Sequence, residues 1–164
     1  MPTPIAAYIR KINLLTAEID ALYHRAARQL NLTDSTLRVL YMLHESGDTC
    51  MLADIYKRSG VSRQTINSAI RSLEQRGIVC LTQAGGKRKR VCVTPDGRAF
   101  VRSAIDPLFR AERDAYASWT PAEIDDYVRL TEKYTEAFRA QLETLHPDPS
   151  FDEQEAQKHE PAAQ

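Results

Sequence analysis

The side chains with the most specific chemistry in this 164-residue chain lie in two short runs. The first is Ser62-Arg63-Gln64-Thr65, followed by Asn67, Ser68 and Arg71, a set of hydrogen-bonding groups suited to flat polar edges and to anions. An amide such as Gln64 can pair bidentately with an adenine edge, and a guanidinium such as Arg63 with guanine or with a phosphate. Ser62, Thr65 and Arg71 are suited to the sugar-phosphate backbone, while Asn67 and Ser68 can reach a base or a bridging water. The second run, Lys87-Arg88-Lys89-Arg90, is four consecutive cations. Such a run can follow a polyanion into a narrow A·T minor groove, where negative potential is concentrated.

Other chemistries find less support. No glycine-rich phosphate loop, HExxH, GxSxG or catalytic carboxylate pair occurs, so no catalytic residue, no enzymatic activity and no cofactor are expected. Cys50, Cys80 and Cys92 are odd in number and lie in no CxxC or CxxH pattern, which argues against a disulfide framework and a zinc finger. His24, His44 and Cys50 would meet only if the first three helices packed together, and irregular histidine spacing favours structural or surface roles, so no metal site is expected. Cys80 and Cys92 fall on facing strands of a hairpin, where packing is the ordinary role and redox sensing the rarer one.

Both runs need a scaffold. Apolar residues at three- and four-residue steps predict a long first helix from Ile5 to Leu30. Thr33 is the expected N-cap of a second helix carrying Leu37, Leu40, Tyr41 and Leu43 and stopped at Gly47. Asp48 or Thr49 should cap a third, Met51 to Arg58, ended by Gly60. Ser62 should cap a fourth with an inner stripe of Ile66, Ala69, Ile70 and Leu73, stopped by Gly77. The polar set above then faces outward. Val79–Gln83 and Arg90–Thr94 read as strands around the turn Gly85-Gly86, with the four cations at the tip. A fifth helix, Arg98 to Ala117, should be kinked at Pro107. Thr120-Pro121-Ala122-Glu123 is a capping box opening a sixth, with the stripe Ile124, Tyr127, Val128, Thr131, Tyr134, Phe138, Leu142 and Leu145. Residues 147–164 read as a disordered tail.

Composition and charge fit this layout. With 43% hydrophobic and 27% charged residues the chain is of the soluble globular type. No apolar stretch is long enough to span a membrane, and Arg10 and Lys11 interrupt any signal-peptide core, so a cytoplasmic protein without membrane contact is expected. The net charge of zero hides a strong division. Residues 50–110 carry 12 basic against 4 acidic side chains, and residues 111–164 carry 5 against 13. A basic centre beside an acidic end points to double-stranded DNA as the partner of one face.

Three helices followed by a basic hairpin form a winged helix-turn-helix, so the fold class is mainly α with a small β-hairpin wing, flanked by long helices. The sequence resembles the MarR (multiple antibiotic resistance regulator) family. Leu32-Thr33, Val61-Ser62-Arg63-Gln64-Thr65-Ile66, Leu73-Glu74-Gln75-Arg76-Gly77-Ile78 and Val93-Thr94-Pro95-Asp96-Gly97 carry the resemblance. It implies a homodimeric regulator or repressor of a palindromic operator. Residues 31–97 would bind DNA, and residues 1–30 and 98–146 would dimerise through Ile5, Tyr8, Ile9, Ile124, Tyr127, Tyr134, Phe138 and Leu142. The family often carries an Asp-x-Arg element in the wing, where this chain has Gly85 and Lys87, with Arg88 next to them. The resemblance also implies a small-molecule effector as a candidate partner, for which Tyr8, Tyr23, His24, Arg28, Tyr41 and His44 are candidate lining residues. The alternative is a winged-helix module that binds protein.

Overall fold

A computed structural model describes residues 4–145, so the tail expected beyond residue 146 lies outside the described residues. The chain divides into two units after Asp114. In the first, α1 (Pro4–Gln29) is followed by α2 (Asp34–Glu45), β1 (Thr49–Met51), α3 (Leu52–Arg58), α4 (Arg63–Gln75), β2 (Val79–Gln83), β3 (Lys89–Val93) and most of α5 (Gly97–Tyr116). The second contains α6 (Pro121–Glu143). This is a winged helix-turn-helix with a small antiparallel sheet of strand order β1-β3-β2.

Local signals explain most helix ends. The Thr33 hydroxyl accepts a hydrogen bond from the Thr36 N–H at 3.1 Å, and Ser62 does the same for Thr65 at 3.1 Å. Each satisfies a donor that the first helical turn leaves unpaired. At the head of α6, Thr120 and Glu123 form the reciprocal capping box, with Pro121 in the first turn. The Thr120 N–H and hydroxyl together hold the Glu123 carboxyl below the usual carboxylate range. Helix α5 runs through Pro107.

The core of the first unit lies between α2, α3, α4, the sheet and the first half of α5, where Leu40, Leu43, Ile55, Ile66, Leu73, Val91, Val101 and Ile105 are fully buried. Burying each of these side chains stabilises the fold by roughly 1.5–3 kcal/mol. The stripe Ile66, Ala69, Ile70 and Leu73 is the buried face of α4, as its spacing predicts.

Two expectations are corrected. Asp48 caps no helix: it adopts a left-handed φ of 68°, and the next three residues form a strand. β1 pairs with β3 through Thr49↔Cys92, Cys50↔Val91 and Met51↔Arg90. A three-residue strand is too short to show an alternating pattern, and its partner is far away in sequence. The wing tip is also shorter than expected. Lys89 joins the expected strand residue Arg90 in β3, and Arg90 is paired with Thr82 on one side and Met51 on the other. The turn itself contains Gly85, Gly86, Lys87 and Arg88, with positive φ at both glycines.

Candidate nucleic-acid interface

Because one face of α4 is buried, the opposite face must be presented outward. Ser62, Arg63, Gln64, Thr65, Ser68 and Arg71 are all exposed. Gln64 and Arg63 stand in the first turn, where a helix entering a major groove brings its residues nearest the base edges.

Asn67 differs from its neighbours. It is half-buried, and its Oδ1 accepts a 2.6 Å hydrogen bond from the Tyr56 hydroxyl. The Tyr56 ring also lies 5.5 Å from the Arg63 guanidinium carbon, a cation–π contact. Tyr56, on α3, therefore restrains two residues of α4 at once. No sequence signal singled it out, since a lone aromatic on a short helix looks like any packing residue.

The wing is aligned by backbone bonds at both ends. At the tip the Ala84 N–H donates to Arg88 O at 2.9 Å and the Arg88 N–H to Gly85 O at 3.2 Å. At the base the Thr94 N–H donates to Ile78 O at 2.9 Å, while the Thr94 hydroxyl donates to Gly77 O at 2.6 Å and accepts from the Gly97 N–H at 2.9 Å. Thr94 thus ties the end of α4, the wing and the start of α5 together. Lys87, Arg88, Lys89 and Arg90 are all exposed. Arg90, on the sheet, also faces a cleft that it shares with Thr49, Met51, Asp54 and Arg58.

A second feature of the first unit is a groove of about 620 Å³ between α1 and α2, reaching α3. Of the six candidate effector residues it takes Tyr23, His24 and Tyr41, together with Asp20, Asp34 and Arg38. Tyr8, Arg28 and His44 are not part of its wall. Two groove tyrosines share one carboxylate on α5: Tyr23 donates to Glu112 Oε1, and Tyr41 donates to Glu112 Oε2 at 2.7 Å. Burial, then the hydrogen bond and charge of Glu112, push the Tyr41 phenol well above its ordinary range. Tyr41 also stacks on Phe109, with centroids 4.4 Å apart.

His24 and His44 face separate carboxylates, Asp34 at 2.9 Å and Asp106 at 2.8 Å. Among the described residues no group of three His, Cys, Asp or Glu side chains is placed to hold a metal. Nor is any described helix long and apolar enough to cross a membrane.

The comparisons with known proteins bear on this geometry. Residues 30–90, which run from α2 through α4 and β2 to the first two residues of β3, match the MarR family. The chain is 24% identical over 127 residues, 76% of its length and 82% of the relative's, to an uncharacterized HTH-type transcriptional regulator, YcgE, of Bacillus subtilis. It is also similar to a MarR-family transcriptional regulator from Listeria monocytogenes solved with 26mer DNA: TM-score 0.64, 21% identity, 81% of this chain and 89% of the other. A third similarity is to BpsR of Bordetella bronchiseptica, from a study of the regulation of its DNA binding by 6-hydroxynicotinic acid. There the TM-score is 0.57 with 23% identity, over 76% of this chain and 98% of the other. The matched region contains every exposed polar residue of α4 named above.

Proposed function

We propose that this chain is a DNA-binding transcriptional regulator, a homodimeric repressor of a palindromic operator acting in the cytoplasm. The observation that carries the reading is α4 itself: a Ser62-capped helix with one face wholly buried and an outer face of Arg63, Gln64, Thr65, Ser68 and Arg71, followed by a cationic wing. The DNA complex of the Listeria relative supports it. In this reading Gln64 reads a base edge, Arg63 reads guanine or a phosphate, and Ser62, Thr65 and Arg71 hold the backbone. Asn67 is left with its amide N–H₂ as the free donor, Ser68 reaches a base or water, and Lys87 to Arg90 follow the adjacent backbone and minor groove.

Dimerisation through residues 1–30 and 98–146 is supported by apolar side chains that the protomer leaves in solvent. On α1 these include Ile5 at 66% and Tyr8 at 67% exposure, with Ile9 also exposed. On α6 they include Tyr127, Tyr134, Phe138 and Leu142. Ile124 is half-buried and sits at the edge of that stripe. Solvated apolar surface on this scale is costly unless a partner covers it, and two-fold symmetry supplies the same surface twice. Effector control is assigned to the α1–α2 groove, in keeping with the regulated relative. A ligand there can change DNA affinity only by its differential affinity for two states of the dimer.

The test is mobility shift and footprinting on the DNA upstream of the gene. Two protected half-sites about 34 Å apart, one helical turn, are expected from a dimer with two recognition helices. Salt-insensitive or sequence-blind association would overturn the reading in favour of a protein-binding module.

A further inference from the structure

The outer face of the wing carries a feature that DNA contact leaves unused. Cys80 and Cys92 are direct register partners on β2 and β3. The bonds Ala84 N–H to Arg88 O and Thr94 N–H to Ile78 O mark two hydrogen-bonded pairs of the ladder. Such pairs recur every second residue, so Cys80 and Cys92 form one as well, and their Cα atoms are about 5.5 Å apart. A disulfide spans Cα separations of about 4.4–6.8 Å, most often near this value.

Direct partners in an antiparallel ladder point to the same side. Here it is the outer side, because the alternate residues Val79, Val91 and Val93 are buried in the core. Both cysteines are half-exposed and both are free thiols. The Thr82 hydroxyl lies 3.5 Å from Cys92 Sγ, and the exposed Arg90 follows on the same face. Cys50 is different: it is buried, and its register partner is the core residue Val91.

We propose that Cys80 and Cys92 are a modification site, a dithiol that low-molecular-weight thiol disulfides convert reversibly into a cross-strand disulfide. The thiolate of one cysteine attacks a sulfur of the oxidant R–S–S–R, breaking its S–S bond and releasing one R–S⁻, which takes up a proton. The second cysteine thiolate then attacks the protein sulfur of the mixed disulfide and expels the second R–S⁻, which is likewise protonated. Two electrons pass from the cysteine pair to the oxidant, and the two thiol protons end on two R–SH. An exposed cross-strand bond belongs to the labile, readily reduced kind. The closed loop contains the Gly85-Gly86 turn and Lys87 to Arg90, so oxidation stiffens the segment that must conform to the DNA. This consequence for binding rests on the regulator reading above, whereas the thiol chemistry does not.

The full-length chain should be equilibrated in glutathione buffers of graded redox ratio, its thiols counted under denaturing conditions and its peptides mapped without reduction. The expected result is a fall from three free thiols to one, a chain lighter by two hydrogen atoms, and a linked peptide pair containing Cys80 and Cys92. Cys80→Ser and Cys92→Ser should abolish the loss, and Cys50→Ser should leave it intact. Retention of all three thiols, or only glutathione adducts or links between chains, overturns the proposal. In a parallel arm, reduced protein should bind its operator and oxidised protein bind it more weakly, with dithiothreitol restoring the affinity. A disulfide that forms without altering affinity overturns its role in control. Failure of the reduced protein to bind any DNA would overturn the regulator reading instead.

Discussion

Replacing Gly97 by alanine tests the joint between α4, wing and α5. A Cβ built at Gly97 falls 2.1 Å from the Ile78 carbonyl oxygen and 2.8 Å from both Ile78 C and Cα, against the 3.0 Å below which such contacts are essentially never seen. All three atoms are backbone, so no side chain can swing aside. Relief requires the start of α5 to retreat from the end of α4 by nearly 1 Å. Three hydrogen bonds fall within that gap: Thr94 N–H to Ile78 O, Thr94 hydroxyl to Gly77 O, and Gly97 N–H to the Thr94 hydroxyl. At about 1 kcal/mol each their loss costs roughly 3 kcal/mol, while the better helix propensity of alanine returns at most about 1 kcal/mol. A net loss of about 2 kcal/mol or more is expected in urea unfolding at fixed protein concentration, read as a lower midpoint with an unchanged slope. Thr94→Val, which removes the hydroxyl bonds without a clash, should cost about 1–2 kcal/mol. If Gly97→Ala lay within 0.5 kcal/mol of the parent, a value typical of inert surface changes, the close-approach argument would be wrong.

Gln64→Ala should relax preference at one operator position by about 1–3 kcal/mol in site-selection experiments, whereas Lys87→Ala or Arg88→Ala should weaken all sequences alike and flatten the salt dependence. Tyr56→Phe keeps the ring under Arg63 but frees Asn67, so it should cost about 0.5–1.5 kcal/mol of stability and broaden preference; a uniform loss of affinity would count against a positioning role. Tyr41 has its phenol pKa raised in the fold, so its contribution is complete below the ordinary value near 10 and is lost as pH climbs through the raised one. Stability should therefore decline on the alkaline side, and Tyr41→Phe should blunt that decline in denaturation midpoints taken across the range. Replacing Tyr134 and Phe138 by aspartate should shift a dimer toward monomer in light scattering; an unchanged mass would remove α6 from the interface.

Short-range physics accounts for what the sequence by itself determined. Caps at Thr33, Ser62 and Thr120, and the 3.6-residue stripe of α4, act within one or two helical turns. The side chains on the outer face of α4 follow from that stripe, because burying one face leaves the other outside. The Gly85-Gly86 pair likewise reveals the hairpin, since few other residues accept the positive φ of its turn. What only the tertiary structure decided depends on partners remote in the chain. β1 exists because Thr49–Met51 meets β3 some forty residues later, and without that edge Asp48 reads as a helix cap. Tyr56 acquires its role from helices crossing, and Glu112 gathers Tyr23 and Tyr41 from two other helices. Gly97 looks like a turn residue in the sequence, yet its lack of a side chain is required by the Ile78 carbonyl against it. Strand register alone made Cys80 and Cys92 partners, since a slip of one residue would have turned one of them toward the core.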